Sequence, residues 1–125
     1  MINPFKFISF IFATFISCAT FASQSIESIW KHSGKPAWIE VVFDSGIGSA
    51  TLVRHDNDSK AVGLNIISHI KPVENYTFQW TGKMYSAALN DYVKVKLLLT
   101  DSKTLVVFDM PESENSNEIL RLFRK

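Results

Sequence analysis

Three histidines are the only imidazoles in the chain, which makes them the first candidates for metal binding or acid–base chemistry. They are His32, His55 and His69. Zinc accepts imidazole nitrogen and carboxylate oxygen in a tetrahedral set, so two of them together with Asp56 or Asp58 could in principle hold it. Their spacing matches no metal motif, and histidines in loops and at strand ends are commonly structural. We therefore predict no metal site.

The run Asp56-Asn57-Asp58 opens like a calcium-binding loop. Calcium loops need further oxygen ligands at fixed spacing and a glutamate at the last position. Here Lys60 places a positive charge where a ligand should be, and no glutamate follows at the required distance. The run is predicted to be a solvated loop.

Nucleophilic and phosphate chemistry have equally little support. The chain contains no Gly-x-Ser-x-Gly elbow, and Gly46-Ile47-Gly48-Ser49 is more simply the end of a hairpin. The pair Gly46 and Gly48 lacks the third glycine and the following helix of a dinucleotide loop. We predict no catalytic residue, no cofactor and no enzymatic activity.

Six aromatic side chains remain as candidates for binding. They are Trp30, Trp38, Trp80, Tyr76, Tyr85 and Tyr92. Such rings can fill a core, with the indole and phenol groups hydrogen-bonded at its ends, or they can line a ligand pocket. Which of the two applies depends on the elements that carry them.

Those elements are predicted to be short antiparallel β-strands. β-Branched and aromatic residues alternate with polar ones at intervals of about ten residues, and turn residues separate the runs. Ser45-Gly46 signals a hairpin, Gly82 suggests a bulge, and the segment 61–70 is a strand or bent strand. The predicted strands span 29–32, 37–44, 47–54, 61–70, 76–85, 92–100, 103–109 and 118–124.

This pattern predicts an all-β fold, a small antiparallel β-barrel or sandwich of seven or eight strands. Two triplets alternate with more polar neighbours and should face the core: Ile39, Val41 and Phe43, and Val93, Val95 and Leu97.

The N-terminus reads as a secretory signal peptide over residues 1–22. Lys6 supplies a positive charge, residues 7–16 form an apolar run too short to span a bilayer, and Thr20 and Ala22 are the small residues that a signal peptidase requires. We predict cleavage after Ala22 and an export destination in the periplasm or outside the cell.

Two other interpretations of this segment stay open. The apolar stretch could serve as a membrane anchor, although serines and threonines interrupt it and no basic cluster follows. Residues 15–18 also resemble a lipoprotein cleavage box, in which Cys18 would be lipidated, although Phe15 stands where Leu, Val or Ile is usual.

Residues 23–125 are about the length of one compact domain. Removing Lys6 leaves 12 basic residues against 12 acidic ones. This balance argues against nucleic acid or an anionic membrane surface as the main partner. Cys18 is the only cysteine and lies in the predicted signal, so the mature domain would have no disulfide. We also predict no transmembrane segment in the mature domain.

The order of several short motifs resembles a family of small exported bacterial proteins known only as a domain of unknown function. The motifs are Trp30 before a Gly-Lys-Pro turn, Gly63-Leu64 within 61–67, Trp80-Thr81-Gly82-Lys83-Met84-Tyr85, Tyr92 with alternating Lys and Val, and Arg124 near the end. The resemblance implies a lipocalin-like β-barrel and a bacterial envelope location. It implies no reaction.

The sequence therefore predicts an exported, non-catalytic binding protein for a small apolar ligand or an envelope component. Trp38, Trp80 and Tyr85 are predicted to line a site near the barrel mouth, and Trp30 to plug the closed end. The alternative is a solid-core interaction or inhibitory protein that acts through its outer surface. A cavity on the order of 300 Å3 or more would favour the carrier.

Overall fold

A computed structural model describes residues 25–110 and 115–125, which form an eight-stranded antiparallel β-barrel. The predicted signal peptide, its cleavage after Ala22 and Cys18 lie outside the described residues. The strands are β1 (Ser28–His32), β2 (Ala37–Asp44), β3 (Ile47–His55), β4 (Asn65–Pro72), β5 (Gln79–Ser86), β6 (Asp91–Asp101), β7 (Thr104–Asp109) and β8 (Glu118–Arg124).

Each strand pairs with its neighbours in sequence, and β8 pairs with β1 to close the barrel. Closure satisfies the backbone groups that an open sheet would leave at its two edges. Eight strands enclose an interior that side chains can just fill or that can hold one small ligand. The all-β class and the antiparallel barrel predicted from the sequence are confirmed.

The two ends of the barrel differ in what covers them. The closed end carries residues 25–27, the β2–β3 and β6–β7 turns, the β4–β5 connection and the C-terminus. The opposite end, which we call the rim, carries the β1–β2 turn, the β3–β4 loop with a 3-10 turn at Ser59–Ala61, the β5–β6 turn, the end of β7 and the start of β8.

Inward and outward side chains follow the predicted alternation. Ile39 and Val41 on β2 are 3% exposed, and Val95 and Leu97 on β6 are fully buried. Phe43 and Val93 pack against the same core. Both predicted triplets therefore face the interior.

The β2–β3 hairpin forms where Ser45-Gly46 predicts it. Both residues have positive φ, 55° and 84°, and Asp44 pairs with Ile47 across a two-residue loop. Positive φ at both central positions is the requirement of a type I′ turn, whose twist matches the flanking strands.

The predicted strand over 61–70 starts too early. Leu64 N–H donates to the Ala61 carbonyl and Gly63 has φ of 99°, so the chain is still turning when it reaches β4 at Asn65. The predicted strand over 76–85 likewise begins only at Gln79.

Gly82 does not form the predicted bulge, because it pairs in regular register with Val95. The bulge lies opposite, in β4, where the register shifts between Ser68 and Lys71 and His69 adopts a φ of 55°. Gly82 is instead a site of close approach: a Cβ there would lie 2.9 Å from Ile67 Cγ2 and 3.1 Å from the Ser68 carbonyl oxygen.

The closed end is sealed by Trp30, as predicted. Its indole is fully buried and donates from Nε1 to the Ile26 carbonyl at 3.0 Å. The Arg124 guanidinium lies 4.5 Å from the Trp30 ring and donates to the carbonyls of Ser102 and Ser25. These contacts join the first strand, the last strand and the β6–β7 turn.

None of the helical segments within residues 25–110 and 115–125 has the length and apolarity needed to cross a bilayer.

Candidate functional site

The middle of the barrel is filled with side chains. A side chain that lined an internal cavity large enough for water would retain accessible area. Eight inward residues from five strands instead have an exposure of 1% or less: Trp30, Ile67, Ile70, Val95, Leu97, Leu105, Val107 and Leu122. A binding site must therefore lie at an end of the barrel or on its outer surface.

Trp38 lies on the outer face of β2. Two cations lie over its ring, Arg54 at 4.1 Å and Lys31 at 5.3 Å from the centroid. It borders an outer groove of about 600 Å3 together with Ile29 and Val53. Because the guanidinium and the ammonium already cover the indole, its role in the structure is a cation–π contact.

Trp80 lies on the inner face of β5 and is 4% exposed. It pairs with Leu97 on one side and Pro72 on the other. Its indole is part of the core.

Tyr85 lies near the rim on the outer face of β5. Its ring meets that of Tyr92 edge-on, with centroids 5.6 Å apart, and its hydroxyl donates to Asn90 Oδ1 at 2.6 Å. The three residues predicted to line one site thus lie on the outside of β2, in the core and on the outside of β5. The structure does not bring them together.

An apolar groove does lie beside Tyr85, between the β5–β6 turn and the adjoining ends of β7 and β8. We call it the rim groove; its volume is about 560 Å3, within the range of small-molecule sites. Its lining consists of five apolar residues, Met84, Leu89, Val93, Met110 and Ile119, with Tyr85, Ser86, Lys94 and Asp109.

The rim groove exists because β6 is longer than β7. β6 has eleven residues and β7 has six, so the β5–β6 hairpin projects beyond its neighbour. Met84 and Val93 point inward on that hairpin. Because β7 is too short to reach this far, it does not cover them completely. Met110 N–H donates to the Lys94 carbonyl and holds the end of β7 against β6.

Sequence reasoning identified Tyr85 but missed the rest of the rim groove. Leu89 is 67% exposed in the turn, and Met110 and Ile119 lie near the facing ends of β7 and β8 and are 38% and 41% exposed. The available signal was an apolar leucine in an otherwise small and polar turn, Ser86-Ala87-Ala88-Leu89-Asn90.

Two of the histidines lie at the opposite side of the rim and hold turns together. His32 Nδ1 accepts the Gly34 N–H at 2.9 Å, and His55 Nδ1 accepts the Asn57 N–H at 3.1 Å. Because the His32 imidazole accepts at Nδ1, it carries its proton at Nε2. Burial lowers the pKa of His32 below its ordinary value, and the charges of Lys35, Lys31 and His55 lower it further.

His69 lies apart from these two, on β4, where its Nδ1 is 3.1 Å from Ser68 Oγ. Within the part of the chain that the structure describes, no three His, Cys, Asp or Glu side chains are grouped closely enough to hold a metal ion.

Comparisons with protein-family models, with curated proteins and with solved structures found no significant match to this chain. The resemblance to a family of exported bacterial proteins therefore stays a prediction.

Proposed function

We propose that this chain is an exported, non-catalytic binding protein that acts through its outer surface, with the rim groove as its binding site. The observation that carries the proposal is the filled interior. Because Leu97, Leu105 and Val107 have no accessible area, a ligand has no space among them. This favours the surface-acting alternative over a carrier that encloses its ligand.

The rim groove suits an apolar group of modest size, such as an acyl chain. Five aliphatic or thioether side chains supply its walls, and methionine adapts its shape to irregular ligands. Lys94 and Asp109 at its border can orient a polar end. The proposed ligand is thus a small apolar molecule, or the apolar part of an envelope component.

Export is the second part of the proposal, with the periplasm or the cell exterior as destination. It rests on the order of charge, apolar run and small residues over residues 1–22. The mass of the intact protein recovered from the envelope of its host should lack these residues. Full-length protein embedded in the membrane would contradict export and cleavage, and a diacyl group on Cys18 would establish the lipoprotein interpretation.

The rim groove can be tested by methyl NMR. The chain has three methionines, and Met1 is expected to leave with the signal, so the other two report on the groove. Titration with laurate below its micelle concentration should shift the Met84 and Met110 methyl signals saturably. Absence of saturation would contradict the proposal, and larger shifts at Val95 and Leu97 would establish an internal cavity instead.

A matched pair of variants tests whether laurate binds in the rim groove. Ile119→Asp places a carboxylate in the rim groove at a side chain 41% exposed. Because the new charge opposes both the acyl chain and the laurate carboxylate, it should weaken laurate binding about tenfold, the equivalent of roughly 1.4 kcal/mol. Val42→Asp makes the same change at a side chain 47% exposed on the outer face of β2 and should leave binding unaltered. Equal effects of the two variants would contradict the site.

A further inference from the structure

Four lysines lie together on the outer face of β4, β5 and β6, although the chain as a whole is nearly neutral. The register places Lys83 opposite Lys94, and Lys71 and Lys96 on either side of Thr81. Asp91, at the start of β6, is the carboxylate that borders the same outer groove as Lys83 and Lys94. We call the four lysines the lysine face.

The lysine face is not neutralised by ion pairs within the barrel. Among the described residues, the two ion pairs are Arg54–Asp56 and Glu118–Arg121, and neither involves one of these lysines. Lys71, Lys83 and Lys94 are exposed to solvent, while Lys96 is half-buried with its ammonium 5.4 Å from the Phe108 ring.

The direct Lys83–Lys94 pairing opposes folding. Like charges directly opposite each other in an antiparallel sheet are destabilising, because their Cβ atoms lie only about 5 Å apart. A pair of opposite charges or a pair of threonines at these positions would stabilise the barrel more. The pairing is therefore better explained by an anion that binds there than by the needs of the fold.

The outward side chains of the β5–β6 hairpin change from charged to aromatic to apolar towards its turn. Beyond the Lys83–Lys94 pair comes the Tyr85–Tyr92 pair, about 7 Å further along the strands. Beyond the tyrosines comes the turn with Ala87, Ala88 and Leu89. Leu89 has the highest exposure, 67%, of the large apolar side chains that the structure describes, and the two tyrosines are 46% and 60% exposed.

We propose that the lysine face and the β5–β6 turn dock this protein on a membrane surface rich in anionic phospholipid. An apolar tip, an aromatic pair and then a row of cations is the order in which a lipid surface presents its acyl boundary, interface and phosphates. The inference deepens the proposed function and rests on its claim that the outer surface of the barrel is the binding part.

An acidic protein partner would explain the exposed lysines but not the exposed apolar side chains of the β5–β6 turn. Such a partner binds charge with charge, whereas Leu89 and the two alanines gain only from contact with an apolar phase. Tyrosine suits the boundary between the two, because its ring is apolar and its hydroxyl remains hydrogen-bonded. The even balance of charge in the sequence argued against an anionic membrane, but it says nothing about how the fold distributes the lysines.

The test is co-sedimentation of the exported, processed protein with vesicles. Vesicles of phosphatidylcholine containing about 30% phosphatidylglycerol should bind it, because an anionic surface attracts exposed lysines. Pure phosphatidylcholine vesicles should bind it far more weakly. Raising sodium chloride to about 0.3 M should release it, since salt screens exposed charges. Binding through an uncleaved N-terminal segment would instead persist in salt and on neutral vesicles.

Two pairs of variants make the test specific. Lys71→Gln with Lys83→Gln leaves the rim groove intact and should weaken binding by roughly fivefold for each lysine removed. Lys103→Gln with Lys125→Gln makes the same change of charge at the closed end and should have little effect. Leu89→Asp should weaken binding further without lowering the melting temperature.

Equal binding to neutral and anionic vesicles would overturn the proposal, as would equal effects of the two lysine pairs. If the protein does not bind vesicles but binds polyglutamate through its lysines, the surface would be assigned to an acidic protein instead.

The laurate titration distinguishes the membrane inference from the rim-groove proposal. Saturable laurate binding without vesicle binding removes only the membrane inference, whereas vesicle binding without laurate binding removes the rim groove.

Discussion

Val95 shows how strictly single positions of this barrel are determined. Its side chain is fully buried at the centre of β6, opposite Gly82. Val95→Asp would bury a carboxylate without a partner, so we expect the free energy of unfolding to fall by roughly 3 kcal/mol or more. Val42→Asp on the outer face of β2 is the control and should change stability little. Chemical denaturation of both variants measures the difference.

His32 makes the stability of the rim sensitive to acid. The pKa of its imidazole is lowered by burial and by nearby positive charge, and its Nδ1 must stay unprotonated to accept the Gly34 N–H. In the pH range between the lowered pKa and the ordinary value of 6.5, the unfolded chain binds more protons than the folded one. Stability due to His32 is therefore complete above pH 6.5 and lost as the pH falls below it.

Replacing this histidine with a side chain that cannot titrate should remove part of that loss. In His32→Asn the side-chain amide oxygen could still accept the Gly34 N–H, so the variant should show a smaller fall in melting temperature between pH 7.5 and about 5. His69→Asn removes an imidazole at an exposed position whose positive φ asparagine tolerates, and serves as the control. An unchanged pH profile in His32→Asn would show that other groups cause the acid sensitivity.

Strands β4 and β5 are fitted to each other through one bulge and one glycine. The extra residue in β4 brings Ile67 and the Ser68 carbonyl close to Gly82 Cα, and the Ser68 oxygen cannot move without disturbing the β4–β5 pairing. The bulge in β4 therefore requires a glycine at position 82 in β5.

Gly82→Ala should therefore destabilise the barrel by about 1–3 kcal/mol, even though alanine suits a strand better than glycine. Gly34→Ala is the matched control, because its nearest neighbour would be the flexible His32 ring at 3.9 Å. Thermal melting of the two variants gives the comparison. A stabilising Gly82→Ala would show that β4 can relax around the added methyl group.

At the scale of the whole molecule, Arg124 links distant parts of the chain at the closed end. Its guanidinium covers Trp30 and donates to the Ser102 and Ser25 carbonyls, so it links β8 to the β6–β7 turn and to the segment that crosses the closed end. Three parts of the chain that are distant in sequence meet at this single side chain.

Arg124→Met retains much of the apolar stem but removes the cation and both hydrogen bonds. We expect a loss of roughly 1–3 kcal/mol in the free energy of unfolding. Arg121→Met on the same strand removes only an exposed ion pair with Glu118 and should change stability by less than about 1 kcal/mol. Equal losses in urea denaturation would show that Arg124 contributes no more than a surface charge.

Local pattern carried enough information to identify the strands. Period-two alternation decided the inner faces of β2 and β6, and Ser45-Gly46 decided a turn, because these features depend on residues adjacent in sequence. Where local signals compete, the prediction was wrong: the β-branched residues of 61–70 suggested one strand, but the turn at Ala61–Leu64 delays it to Asn65.

The site could not be predicted in this way, because it depends on which strands become neighbours and how far each extends. Residue order alone establishes an all-β chain with alternating faces and almost no net charge. The folded barrel adds that Trp38, Trp80 and Tyr85 lie apart, that the interior is full, and that four lysines share one face. These features arise on folding because barrel closure and a one-residue bulge set cross-strand register, and register brings together residues that are distant in sequence.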